Sequence, residues 1–155
     1  MKESRYVFSA MQAGQGELFP ESAAQFIHEW PDPVVPANME ALFARLARSR
    51  FRQRFRLGSQ ESAYCLSRGM VTIRLHAADF IAQRLAPANL SNDGRQTPMR
   101  GHPVFVAQHA TATCCRGCLE KWHGLPLGRA LSTIEQAWLV DILMAWIAWH
   151  MKTEA

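Results

Sequence analysis

Hydrophobic positions recur at helical spacing in two stretches of the first hundred residues. After Asn38, a residue type that caps helices, Leu42, Phe43 and Leu46 fall on one face and predict a first helix. From Ser59 toward Leu85, apolar residues recur at spacings of three and four, at Leu66, Met70, Ile73, Ala77 and Phe80. This stripe predicts a long helix that Gly69 bends or divides and that Pro87 ends.

Two further helices are predicted by their end signals. Ser132, with Glu135 three residues later, forms a capping box for a helix that runs to about Met151. Thr113 can cap a shorter helix, CCRGCLEKW, which Gly124 stops. Between the long helices, PANLSNDGRQTPMRGHP (87–103) has the composition of a polar loop, and VFVA (104–107) is too short to assign.

Proline and glycine set the first 37 residues apart from the rest of the chain. Three prolines within PDPVVP prevent a helix and favour an extended path. We therefore divide the chain into an irregular N-terminal extension or linker, residues 1–37, and a helical domain, residues 38–155. The 155 residues suit one domain, and no apolar run approaches the roughly 20 residues that span a bilayer. We expect a soluble, cytoplasmic protein with no membrane partner.

Charge is distributed unevenly along the chain. Residues 1–40 have a net charge of −4 and residues 41–155 a net charge of +8. The basic side chains concentrate in ARLARSRFRQRFRLG, which contains six arginines and no acid. Arginine binds phosphate and aromatic rings stack on bases, so we predict contact with DNA or RNA through Arg48, Arg50, Arg52, Arg54, Arg56 and Arg95. The alternative is a solvated basic face, and RFRQRFR also alternates as a strand or extended segment does.

Three of the four cysteines lie in HATATCCRGCLEKWH (109–123). Cys115 and Cys118 are three residues apart on a helix, so both sulfurs can face one point. With His109 and His123 they predict a tetrahedral zinc site, in which Cys114 or His102 can replace one member. Four protein ligands would make the zinc structural, and three with a water would make it catalytic. Packing of the cysteines, thiol redox chemistry and an iron–sulfur centre are the alternatives.

The loop NDGRQTPMRGHP (92–103) also concentrates polar side chains. A catalytic interpretation uses Asp93 or His102 as general base, with Arg100 or Arg95 holding an anion. A structural interpretation places Asp93 and Gly94 in a turn, with the arginines bonded to backbone carbonyls.

From Leu42 to Met151 the chain resembles domain of unknown function 4186, a family of bacterial and phage proteins. The resemblance is densest at NDGRQTPMRGHPVF, at QHATATCCRGCLEKWH and at PLGRALS. It implies that the polar loop and the cysteine helix belong to one site. The first 37 residues lie outside it.

Together these patterns predict a mainly α protein. It has a single small helical domain, a short Cys/His-rich helix pinned by zinc, and an irregular N-terminal extension. The first functional hypothesis is a zinc-binding accessory protein of nucleic acid. The alternatives are a metal-dependent hydrolase or nuclease that uses the 92–103 loop, and a protein-binding modulator that uses the acidic extension. Whether the protein is an enzyme stays open.

Overall fold

The fold is helical, as the sequence predicts. A computed structural model describes residues 29–33 and 35–153, and within those ranges it contains no strand. The helices are α1 (Ala37–Leu46), α2 (Arg50–Gln53), α3 (Ser59–Arg84), α4 (Pro103–Ala110), α5 (Arg116–His123) and α6 (Thr133–Thr153). None of the helices in these ranges combines the length and the apolar character that crossing a membrane would require.

The core lies where α3, α4 and α6 pack on one another. These three helices, here called the apolar frame, contribute most of the fully buried large side chains, namely Tyr64, Ile73, Phe80, Ile81, Phe105, Leu139, Ile142, Leu143 and Ile147. Removing such side chains from water stabilises the fold by roughly 1.5–3 kcal/mol each. The predicted capping box begins α6: Glu135 accepts from the Ser132 amide at 2.8 Å, and Ser132 Oγ accepts from the Glu135 amide at 3.1 Å.

The predicted division of the long helix occurs at Gly69. Its φ of 81° and ψ of 163° are non-helical, in a region that L side chains rarely adopt. The helix therefore changes course after Tyr64 and Cys65, and Ile73 resumes the buried stripe on the far side. The predicted stop at Gly124 is also confirmed, because this residue is left-handed with φ 68° and closes α5.

The extended interpretation of RFRQRFR is wrong for its first four residues, Arg50–Gln53, which are helical. Ser49 Oγ accepts a hydrogen bond from the Arg52 amide at 3.2 Å and starts the helical turn α2. This cap overrides the alternation of arginine and phenylalanine, which by itself fits a strand. The turn carries Arg52 into the interior, where its side chain is only 8% exposed.

The helix α4 was not predicted. All eight of its residues are buried, so it has no polar face to produce a helical period. The cysteine helix also begins later than predicted. Thr113 precedes it in non-helical backbone, and Cys115 is the cap.

The described part of the predicted extension packs on the helical domain. The indole of Trp30 is buried and donates from Nε1 to the Cys65 carbonyl at 3.1 Å. Residues 1–28 and 34 lie outside the described residues, as does most of the segment to which the protein-binding hypothesis was assigned.

Candidate metal centre

Three cysteine side chains converge at the start of α5. The Sγ atoms of Cys114, Cys115 and Cys118 all lie within 4.8 Å of one another. Cys115 is the N-cap of the helix, and its sulfur accepts from the Cys118 amide at 3.3 Å. This cap places Cys118 in the first turn of α5, next to Cys115. Cys114 lies in the segment before the helix, and its sulfur lies close to the other two.

The spacing of two of the sulfurs fits a tetrahedral metal site. The Sγ atoms of Cys114 and Cys118 are 3.7 Å apart. Thiolates that bind zinc tetrahedrally at about 2.3 Å are separated from one another by roughly 3.8 Å. The three cysteines can therefore bind a metal ion, with thiolate sulfur as the donor.

A buried arginine neutralises this cluster. Arg52 donates from Nη2 to Cys118 Sγ at 3.2 Å, and from Nη1 to Cys114 Sγ at 3.8 Å and to the His109 carbonyl at 2.7 Å. The hydrogen bond from the Cys114 thiol and then the Arg52 guanidinium hold the pKa of Cys118 well below its ordinary value. Donation to Cys118 raises the pKa of Cys114, and burial raises that of Cys115. Without a metal, one thiolate forms before the other two.

The two predicted histidine ligands flank the cysteines. Nε2 of His109 faces the carbonyls of Thr97 and Pro98 at 3.2 and 3.1 Å, and Nε2 of His123 faces the Thr111 carbonyl at 2.9 Å. A carbonyl only accepts, so each Nε2 carries the proton and each Nδ1 keeps its lone pair. This is the usual arrangement of histidines that bind a metal. Neither ring belongs to the close group of three, so their role as ligands stays a prediction.

Both candidate general bases of the polar loop serve as helix caps. Asp93 accepts from the Arg116 amide at 2.8 Å at the start of α5. Burial raises its pKa, but hydrogen bonds from Gln96 and from backbone amides outweigh this and lower it overall. His102 is fully buried, and its Nδ1 accepts from the Val104 amide at 3.0 Å at the start of α4.

Asp93 and His102 thus serve two different helices, and Arg100 is exposed to solvent. Asp93 and Gly94 lie in a turn, as the structural interpretation of the loop expects, and the catalytic hypothesis stays a prediction. The loop does contact the cysteine segment, because Thr97 Oγ1 donates to the Cys114 carbonyl at 2.8 Å.

The arginines predicted to bind nucleic acid divide into two groups. Arg48, Arg50, Arg54, Arg56 and Arg95 are exposed, whereas Arg52 is buried against the cysteines. In the sequence Arg52 is equivalent to Arg50 and Arg54. The only local signal that distinguishes it is Ser49, a capping residue three positions earlier.

Arg116 is a second buried arginine that the sequence did not single out. It donates from Nη1 to the carbonyls of Leu85 and Pro87, and from Nη2 to those of Pro126 and Arg129, over distances of 2.6–3.1 Å. The side chain therefore joins the segments that precede and follow the cysteine region. Nothing in the local sequence, in which Arg116 simply lies between two cysteines, indicates that this side chain binds four backbone carbonyls.

Residues 40–148 match the sequence model of the family described as Domain of unknown function (DUF4186). The chain belongs to this family. The match includes the three cysteines, both flanking histidines, Arg52 and the whole polar loop, and it confirms the resemblance seen in the sequence. No solved structure matches the chain.

Proposed function

We propose that this DUF4186 protein binds one zinc ion through the thiolates of Cys114, Cys115 and Cys118, and that the zinc-bound protein associates with nucleic acid. The 3.7 Å separation between the sulfurs of Cys114 and Cys118 carries the metal part of the proposal. It matches the edge of a tetrahedral zinc–thiolate site.

The position of Arg52 supports this assignment. Three thiolates around one divalent ion leave a net charge of minus one, and a buried charge is costly unless it is paired. Arg52 is 8% exposed and already donates to two of the sulfurs, so it supplies the balancing positive charge. We assign the fourth ligand position to Nδ1 of His109 or His123, because both rings have the required tautomer. Four protein ligands would make the zinc structural.

The nucleic-acid part of the proposal rests on the exposed arginines of the turn that contains Arg52. Arg50 and Arg54 are exposed on either side of it, and Phe51 between them is 44% exposed. Arginine and aromatic groups side by side suit phosphate contact and base stacking. Because Arg52 ties this turn to the cysteines, the zinc would hold the arginine surface in place.

Metal analysis of purified protein tests the first part. We expect one zinc per chain in the wild type and loss of most of it in Cys114→Ser, Cys115→Ser and Cys118→Ser. Cys65→Ala is the matched control, because Cys65 is buried in α3 away from the cluster. Thiol titration should show the three cysteines reacting only after chelation. A wild-type protein without zinc, or equal zinc loss in the control, would contradict the assignment.

Oligonucleotide binding across a salt series tests the second part. Phosphate contacts make the logarithm of affinity fall linearly with the logarithm of salt concentration. Arg54→Glu should weaken binding at low salt and reduce this slope. Arg68→Glu, a reversal at an exposed arginine of α3, should change neither. Equal effects of the two variants would argue against an arginine surface on α2.

A further inference from the structure

A cavity of about 730 Å³ lies between α1, α2 and α6, and Arg52, which donates to Cys118 Sγ, is one of the residues that line it. Pockets that bind small ligands commonly measure about 300–1,000 Å³. Four aromatic side chains line the cavity: Phe43 from α1, Phe55 from the segment after α2, and Trp146 and Trp149 from α6. Such walls suit a flat aromatic ring, which stacks on them with large contact area.

Among the described residues that line the cavity, one cation and one anion face an incoming ligand. Arg56 and Glu40 line it and are both exposed, whereas the guanidinium of Arg52 is committed to sulfurs and a carbonyl. His150 adds no charge, because burial and then the charge of Arg56 lower its pKa to about 4. A ligand that satisfies this lining has an anionic group for Arg56 and N–H donors for the carboxylate of Glu40.

We propose that this cavity binds a nucleotide, with the base against the aromatic walls, the phosphate at Arg56 and an amino group of the base at Glu40. Nucleotides combine a flat heterocycle, ring N–H donors and a phosphate, which are the three features that the lining selects. This inference rests on the proposed function and deepens it, since it names an unpaired base as the element that the protein binds.

An unpaired base is required by the shape of the site. Bases in a duplex are stacked on their neighbours, and only an unstacked base can enter a concave pocket. Arg54 and Arg50 lie on the adjoining turn and are exposed, so they can contact the phosphates on either side of such a base. The cavity therefore favours single-stranded nucleic acid over duplex, or else it binds a free nucleotide.

Calorimetric titration of the full chain distinguishes these cases. The probes are the four nucleoside monophosphates, inorganic phosphate, and a single-stranded oligonucleotide and its duplex. We expect a monophosphate with an amino-bearing base to bind at least tenfold more tightly than inorganic phosphate. Trp149→Ala should weaken binding by on the order of tenfold, as loss of one stacking contact does. Trp149 is 59% exposed and Ile134, on the same helix but outside the cavity lining, is 81% exposed, so Ile134→Ala is the control.

The outcomes separate this inference from the proposed function. Failure of all four monophosphates to bind, or an unchanged affinity in Trp149→Ala, would overturn the nucleotide site even if oligonucleotides still bind through Arg54. Monophosphate binding that Trp149→Ala weakens and Arg54→Glu does not would establish the site. If oligonucleotides then fail to bind, the source is a free nucleotide and the proposed association with nucleic acid falls.

Discussion

The apolar frame and the cysteine segment, residues 111–123, are held in place by different forces. The frame is stabilised by many interdigitated apolar side chains from α3, α4 and α6, each of which contributes a modest share. The cysteine segment buries only Ala112 and Leu119 in this core and depends in addition on single polar groups. Arg116 bonds four carbonyls, Asp93 caps α5, and Arg52 faces two of the sulfurs.

The two regions therefore tolerate different substitutions. Loss of a methyl group from the frame removes a small part of a large sum. Loss of a buried guanidinium leaves several acceptors without donors at once, and each buried unsatisfied group costs about 1–3 kcal/mol. This contrast predicts different losses of stability for substitutions in the two regions.

Arg116→Met should be the most damaging. The side chain is 3% exposed, and its removal leaves the carbonyls of Leu85, Pro87, Pro126 and Arg129 without their donor. We expect a loss of at least about 3 kcal/mol in the free energy of unfolding, measured by urea denaturation. The exposed Arg68→Met is the control. A loss below about 1 kcal/mol would show that the cysteine segment does not depend on this residue.

Acid should destabilise the frame at the buried His102, which is hydrogen-bonded to His76. His102 accepts from the Val104 amide through Nδ1, so its Nε2 carries the proton and donates to Nδ1 of His76 at 2.9 Å. A further proton on this pair would break either the cap or the bond between the rings. Burial, and then the nearby charges of His76 and Arg84, lower the pKa of His102 well below its usual value.

Because protonation of His102 is linked to folding, the stability of the protein changes with pH in a defined direction. Because the folded pKa of His102 is lowered, the unfolded chain binds more protons below about pH 6.5. The stability that neutral His102 contributes is complete above that pH and falls as the pH drops toward the folded pKa, by at most about 1.4 kcal/mol per pH unit. His102→Asn keeps an acceptor for the cap without titrating. Its urea stability should therefore fall less between pH 7 and 5 than that of the wild type, and parallel curves would refute this role.

Ile142→Val should be the mildest of the three. Ile142 is fully buried in α6, and loss of one methyl group there costs about 1 kcal/mol. The same substitution at the exposed Ile134 of this helix should cost almost nothing. Zinc content should be unchanged in both. Loss of zinc from Ile142→Val would mean that the frame and the metal centre are not separable.

The helices with a polar face could be predicted from local pattern. The stripe of α3, the division at Gly69 and the capping box of α6 each depend on residues a few positions apart. Helix α4 could not be predicted, since burial of all eight residues erases the period. Cys115 and Cys118 were paired by their spacing, whereas the place of Cys114 depends on the cap at Cys115.

Short-range spacing in the sequence is enough to predict where most helices form and which side chain types are available for a metal. Only the tertiary structure decided which thiols converge and which arginine is buried among them. Arg52 and Cys118 are 66 positions apart, and Arg52 lies in the same arginine-rich run as the exposed Arg50 and Arg54. Their meeting results from the packing of α2 against α4, a long-range contact that no local period encodes.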